Sequence, residues 1–402
     1  MRLPTVQDVE RLLPRPDDFT SRSRGTGLTA RVGVALGVAF GLCFVTGLWS
    51  HLQQDPQDWV PLGPSPAWLY RVTQGVHVVA GTAAVPLLLV KLWSVFPRLF
   101  LRPPTGRRAL VVEALERASI AALVASAVFM LASGLLNIAQ WYPWDFSFRR
   151  THNAVAWVAI GALLVHVAVK LPVIRTALGA PVDDEPVDDE PVEDDHEDGP
   201  SDAGDGPTRR AVLLGAVSAS GLTVLLTAGQ SVPWLRDVSV FAVRNGDGPQ
   251  GLSINRTARA AGAVDGASSP DYVLEVVAGG RTVSLTREQL AELPQRTHRL
   301  PMACVEGWSK DAVWTGVAVR DVLALVDAPP GSDVRVSSLQ TRGAFANTDL
   351  PAAFTQDERT LLALELNGET LSLDHGYPCR IIAPNRPGVL QTKWVRRLEV
   401  TA

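Results

Sequence analysis

The sequence predicts a multi-domain protein: an all-α transmembrane bundle of four helices plus a fifth anchor helix, followed by a mixed α+β domain. Three observations lead there. Four apolar runs long enough to cross a bilayer crowd the first half of the chain. An acidic, proline-rich stretch then interrupts it, and after one more apolar run short strand-like and helix-like patterns alternate to the end. At 402 residues the chain exceeds one ordinary domain. Its net charge of -4 supplies no field that would draw nucleic acid.

Residues 1–29 read as a cytoplasmic tail, and residues 30–178 as the four-helix membrane bundle. A spanning helix needs roughly 20 apolar residues. Ala30 to Ser50, Trp68 to Val95, Leu115 to Ile138 and Asn153 to Val173 supply them. Arginines 22, 24 and 31 flank the first run, and arginines 98, 102, 107 and 108 lie between the second and third. Basic residues stay inside, so the N-terminus and the loop from Pro97 to Arg117 are expected in the cytoplasm. Trp141, Tyr142 and Trp144 suit the opposite interface; Arg149 and Arg150 run against the rule.

Residues 179–207 form the linker. Its core, Pro181 to Gly206, is a run of acids, proline and glycine that cannot bury a hydrophobic core and is expected to be disordered. His196 within it reads as solvated. Residues 208–235 hold the fifth transmembrane helix, with its apolar run at Ala211 to Val232. The Arg209-Arg210 pair ahead of that run has two readings, a positive-inside anchor and a twin-arginine export signal. With the linker inside, the helix runs outward and exports residues 236–402.

Ionisable side chains within a bilayer are costly and mark function. His152 and His166 lie fourteen residues apart on the fourth segment. That spacing leaves about 40° between them and about 21 Å along the axis, so both face one way. The running direction of the second segment puts His77 at the depth of His152. Two imidazoles facing across a bundle suit bis-histidine haem b. A second haem would involve His166, but its counterpart fourteen residues beyond His77 is Lys91, which can instead snorkel to the headgroups. His51 is another candidate ligand. In layout the bundle resembles the four-helix cytochrome b561-type families.

Three cysteines are too few for a disulfide framework, although Cys304 and Cys379 would allow one bridge. Cys43 lies in an apolar run. The strongest motif is built around Cys304: Cys-Val-Glu-Gly-Trp-Ser, followed by Trp-x-Gly-Val. Further on come Leu-Asn-Gly-Glu, His-Gly-x-Pro-x-Arg and a closing Lys-Trp-Val. In this order, from about Gly248 to Ala402, the chain resembles the sulfite-oxidase family of molybdopterin enzymes.

That resemblance implies Mo-molybdopterin, with Cys304 as the catalytic thiolate ligand of molybdenum. It places Asn255, Ser338, His375, Arg380, Gln391, Thr392 and Lys393 at cofactor-binding positions, Arg380 and Lys393 facing the phosphate. Cys379 reads as a small packing group. Leu364 stands where the resemblance places a tyrosine in sulfite oxidases, and their immunoglobulin-like dimerisation domain is expected to be absent. The layout is closer to a periplasmic methionine-sulfoxide reductase system.

The expected function is a membrane-bound oxidoreductase passing electrons between quinone and an exported molybdenum centre through haem b. The favoured direction reduces S- or N-oxides by oxygen-atom transfer. Oxidation of sulfite or another sulfur compound, and a non-catalytic exported binding domain, are the alternatives. Lipid, quinone and a small oxide or sulfur substrate are the expected partners, while the substrate's identity and the oligomeric state stay open.

Overall fold

The computed structural model describes residues 23–57, 59–60, 62–97, 106–182, 207–244 and 248–401. The tail up to residue 22, the basic loop at 98–105, and most of the acidic linker with His196 lie outside the described residues. So do residues 245–247.

Among the described residues, five helices are long and apolar enough to cross a membrane. They are α1 (Thr26–Gln54), α2 (Leu69–Val95), α3 (Arg107–Ile138), α4 (Phe148–Gly179) and α5 (Arg209–Thr227). A helix satisfies every backbone donor and acceptor within its own segment, which hydrocarbon requires. Apolar side chains such as Leu89, Leu164 and Val169 stay more than 60% exposed. Lipid covers such a surface at no cost where water would not, so the chain is membrane-anchored.

The chain divides into two compact units. The first takes in residues up to Phe44, Val79–Leu136 and Tyr142–Val224. Its centre is a small cluster of Leu28, Val32, Leu87 and Ala216. Within it, Lys91 Nζ donates to the Thr29 carbonyl at 2.8 Å, so this amine is engaged at the start of α1. Ser133 Oγ lies 2.9 Å from His152 Nδ1, and the Phe148 ring packs at 4.9 Å from the same imidazole. His166 stands on α4, fourteen residues along from His152.

The second unit comprises Val45–Val78, Asn137–Trp141 and Leu225–Ala402. This unit therefore takes in the C-terminal ends of α1 and α3 and the start of α2. This domain begins with two one-turn helices, α6 (Ala258–Ala261) and α7 (Val264–Ala267). It then runs β1 (Leu274–Ala278), β2 (Arg281–Leu285), α8 (Arg287–Glu292), β3 (Gln295–Ala303), β4 (Ser309–Ala318) and α9 (Val319–Ala324). After these come β5 (Val334–Ser338), β6 (Asn347–Leu350), α10 (Ala352–Thr355), β7 (Leu361–Leu366), β8 (Glu369–Thr370), β9 (Arg380–Ile382) and β10 (Val395–Val400).

One sheet has the order β2-β1-β10-β5-β6, in which only β1 and β10 run parallel. The other has the order β3-β4-β7-β8, with β9 also on β7, and is antiparallel throughout. Strand β7 is buried along nearly its whole length, so its side chains feed two cores. Leu362 and Leu364 join the larger cluster with Val276, Val317, Val336 and Ile381. Leu361 and Ala363 join a second cluster with Met302, Cys304, Trp308 and Trp314.

Between β4 and β7 the register slips, with Thr315 opposite Glu365 but Gly316 opposite Ala363. Leu364 is the extra residue of this bulge. A Cβ on Gly316 would collide with the Leu362 carbonyl and come within 2.6 Å of Ala363 Cα. Backbone cannot retreat as a side-chain tip can. Gly316→Ala is therefore expected to destabilise the domain by about 2–3 kcal/mol, by the usual cost of overpacking. A thermal melt of the detergent-purified variant checks this, and a midpoint equal to the parent's would refute it.

Candidate active site

Strand β3 ends at Ala303 and β4 begins at Ser309, so residues 304–308 form the turn that joins them. The turn is closed by its own backbone: Cys304 N donates to the Trp308 carbonyl at 2.9 Å, and Gly307 N to the Cys304 carbonyl at 3.0 Å. Gly307 has a φ of 82°, the left-handed region open to glycine. Cys304 is fully buried, on the wall of a narrow recess. Asn255, Met302, Trp308, His375, Arg380 and Lys393 share that wall, with Leu252, Ser253 and Gly388.

Two buried cations dominate the recess. Arg380, at the start of β9, donates to the His375 carbonyl at 2.9 Å and the Gln391 carbonyl at 3.2 Å. Its Nε has no partner, and neither has Nε1 of Trp314, the indole beneath the guanidinium at 5.1 Å. Lys393 Nζ donates to the Arg256 and Asp374 carbonyls, each at 2.8 Å. Among the described residues no carboxylate forms an ion pair with either group. Burial lowers Arg380 to about 9; burial and then Arg380 lower Lys393 to about 7. Uncompensated buried charge is expensive, and an anion entering the recess would remove the penalty.

His375 lies on a single helical turn, where its backbone N–H meets the Ser372 hydroxyl at 3.3 Å. Its Nε2 is 2.7 Å from the Pro249 carbonyl. Burial, followed by Arg380, lowers it to about 4. The ring is thus neutral at pH 7, and Nε2–H is the donor. Burial pushes the Cys304 thiol well up, and the neighbouring Glu306 adds to this. Only a strong cation such as a metal ion would displace that proton. Glu306 is itself held above the usual carboxylate range by burial. Its Oε2 accepts from Trp308 Nε1 at 3.2 Å and lies 3.8 Å from the Arg244 guanidinium.

The recess thus gathers Cys304, Asn255, His375, Arg380 and Lys393 of the residues expected from sequence. Ser338, Gln391 and Thr392 are buried outside its lining, with side chains that hold the frame. Ser338 Oγ donates to the Lys393 carbonyl at 2.7 Å, and Thr392 Oγ1 meets Thr348 Oγ1 at 2.6 Å. The Gln391 amide pairs with both backbone groups of Ala383 and with the Arg386 carbonyl. Sequence reasoning missed Ser253, Trp308 and Gly388. Trp308 was within reach, because it belongs to the quoted motif. Cys379 is buried and packs with Tyr272, its Sγ 3.1 Å from the phenol oxygen; like Cys43 and Cys304 it is a free thiol.

The donor set fits a pyranopterin phosphate bearing a thiolate-held metal. Among the described residues no group of three His, Cys, Asp or Glu side chains could hold a metal alone. A metal on Cys304 therefore needs the remaining ligands from a cofactor. Comparison with known proteins supports a molybdopterin cofactor. Residues 261–402 match the family of the oxidoreductase molybdopterin binding domain.

Sulfite oxidase of Drosophila melanogaster is 29% identical over 155 residues, 32% of this chain and 27% of that protein. Sulfite oxidase of Arabidopsis thaliana is 34% identical over 106 residues, 23% and 27% of the two chains. The YedZ1 protein of Azospira oryzae, provisionally named a protein-methionine-sulfoxide reductase subunit, is 30% identical over 119 residues, 29% and 43% of the two. The chain thus spans under half the length of these relatives. A sulfane dehydrogenase from Paracoccus pantotrophus shares 25% identity over 38% of this chain and 43% of its own, at a TM-score of 0.32.

The depressed lysine gives the cofactor-free protein a pH signature. Between about 7 and the ordinary lysine value of 10.5, the unfolded chain holds a proton that native Lys393 does not. Stability then rises with pH across that window. A thermal midpoint that climbs from pH 7 to pH 9 is expected, with the climb flattened in Lys393→Met. A parallel climb in both proteins would count against the buried lysine as its source.

Proposed function

We propose that the chain is a membrane-bound molybdenum oxidoreductase carrying electrons between the quinone pool and a molybdopterin centre in the C-terminal domain, by way of haem b. One observation carries the reading: a buried thiol shares a recess with two buried cations that lack a carboxylate partner. Arg380 and Lys393 would hold the pterin phosphate, with Asn255 and the neutral His375 bonding the polar edge of the cofactor. Cys304 would supply the thiolate, and Met302 and Trp308 would keep bulk water from it. Molybdenum in such a site supplies a two-electron change matched to the gain or loss of one oxygen atom.

The favoured direction is reductive, from quinol toward an S- or N-oxide. It is supported by the name of the YedZ1 relative. The recess lining also contains no tyrosine. Leu364 contributes less to this argument than its sequence position suggested, because it shares a face with Leu362 in the other core, away from Cys304. The opposite direction, sulfite or sulfur-compound oxidation feeding quinone, is supported by the sulfite oxidase relatives. Fusion of both redox parts in one chain would keep them at high effective concentration.

For the haem we propose His77 and His152, with His166 serving a second haem if one is bound. The support lies in the imidazole surroundings. Thr46 Oγ1 is 3.1 Å from His77 Nδ1, and Ser133 Oγ is 2.9 Å from His152 Nδ1. A hydrogen bond at one ring nitrogen is how proteins orient an iron-ligating imidazole. By the positive-inside reading, the C-terminal domain is exported, with Arg209-Arg210 at the start of α5 as anchor or twin-arginine signal.

Detergent-purified protein should contain molybdenum and pterin and show haem absorption bands. Cys304→Ser should lower turnover beyond the roughly 10–100-fold typical of outer-shell changes while leaving the bands intact. Protein devoid of molybdenum would end the proposal. Haem bands undiminished in both His77→Ala and His152→Ala would end the ligand assignment. Sulfite-to-dye transfer, with no reoxidation of reduced dye by any sulfoxide or amine oxide, would reverse the direction.

A further inference from the structure

The turn that carries Cys304 is gripped from outside its own domain fold, by residues at the C-terminal end of α3. Asn137 Nδ2 donates to the Val305 carbonyl at 3.0 Å. Gln140 Nε2 donates to the Asn255 carbonyl at 3.4 Å. A Cβ on Gly307 would stand 2.9 Å from Val78 Cγ2 of α2 and 3.4 Å from Ile138 of α3. Val305 and Gly307 are therefore each met by a membrane helix, and Asn255 on the recess wall is met by Gln140. All of these residues lie within one compact unit.

The backbone at Gln140 adds a separate observation. The Gln140 N–H donates to the Asn137 carbonyl at 3.1 Å, finishing α3, and its φ is 53°. Helices that end this way usually place glycine at such a position, because other residues are strained there. Strain of this kind persists where a side chain is needed. Here the side chain reaches the Asn255 carbonyl.

We infer that Asn137 and Gln140 are positioning residues of the molybdenum site, holding the Cys304–Trp308 turn and the Asn255 backbone so that the thiolate meets the metal in one fixed direction. The inference rests on the reading that Cys304 binds molybdenum. It makes the end of a membrane helix part of the metal site itself, and not merely an anchor for the domain.

Two substitutions separate positioning from folding. Gln140→Gly suits the left-handed backbone and removes only the side chain. Asn137→Asp keeps the shape and removes the donor to Val305. The full-length variants should retain molybdenum within about twofold of the parent. They should show shifted g-values in the Mo(V) electron paramagnetic resonance spectrum and turn over about tenfold more slowly, as outer-shell changes do.

Parental g-values and turnover in both variants would overturn the inference. So would loss of molybdenum together with a lowered thermal midpoint, because the residues would then act on folding alone. Loss of molybdenum at an unchanged midpoint would support it, by showing that the grip governs loading. A parent protein without molybdenum would instead remove the reading of Cys304 itself.

Discussion

The structure is organised around a charge imbalance. Among the described residues, Arg380 and Lys393 sit in the interior with only backbone carbonyls as hydrogen-bond acceptors, and carbonyl dipoles do not neutralise two cations. Such an arrangement is tolerated when a ligand supplies the missing charge, and it is a liability otherwise. Much of the surrounding architecture serves to keep the two groups where they are. Gln391 spends its whole amide on the backbone beside them, Ser338 ties down the Lys393 carbonyl, and Trp314 and Trp394 lie against the two cationic heads. Stability and ligand capture are thus two aspects of one arrangement.

The thiol and the cations come from distant parts of the sequence, and β7 brings them together. It pairs with β4, which follows the Cys304 turn, and with β9, which opens with Arg380. Because both faces of β7 are buried, its register is fixed by packing on two sides. The bulge opposite Gly316 absorbs the one mismatch. The recess needs no long loop to assemble, and its walls are largely strand ends and tight turns.

Much of this was legible in the sequence. The five spanning helices announce themselves by length and composition, since the bilayer imposes a single solution on the backbone. Cys304, Asn255, His375, Arg380 and Lys393 were found because their spacing in order carries a family resemblance. Periodicity alone would not have found them. Ser338, Gln391 and Thr392 show the limit of that route. A polar residue next to a binding motif has the same appearance in sequence whether its side chain faces the ligand or braces the frame. The bulge at Leu364 was hidden for a related reason: alternation in a strand is read by counting, and one extra residue reverses the count. The helix-end grip on the Cys304 turn was beyond reach, because nothing in sequence links Asn137 to Val305.

Strand β10 occupies the middle of its sheet, between β1 and β5, and Lys393 lies just ahead of it. Its neighbours have no mutual pairing to fall back on. During synthesis, β1 with β2 and β5 with β6 emerge as separate hairpin-like pieces, each with an unsatisfied edge. Residues 395–400 join them, and the same event delivers the lysine to the recess. The completed sheet and the placement of Lys393 therefore depend on the same final strand.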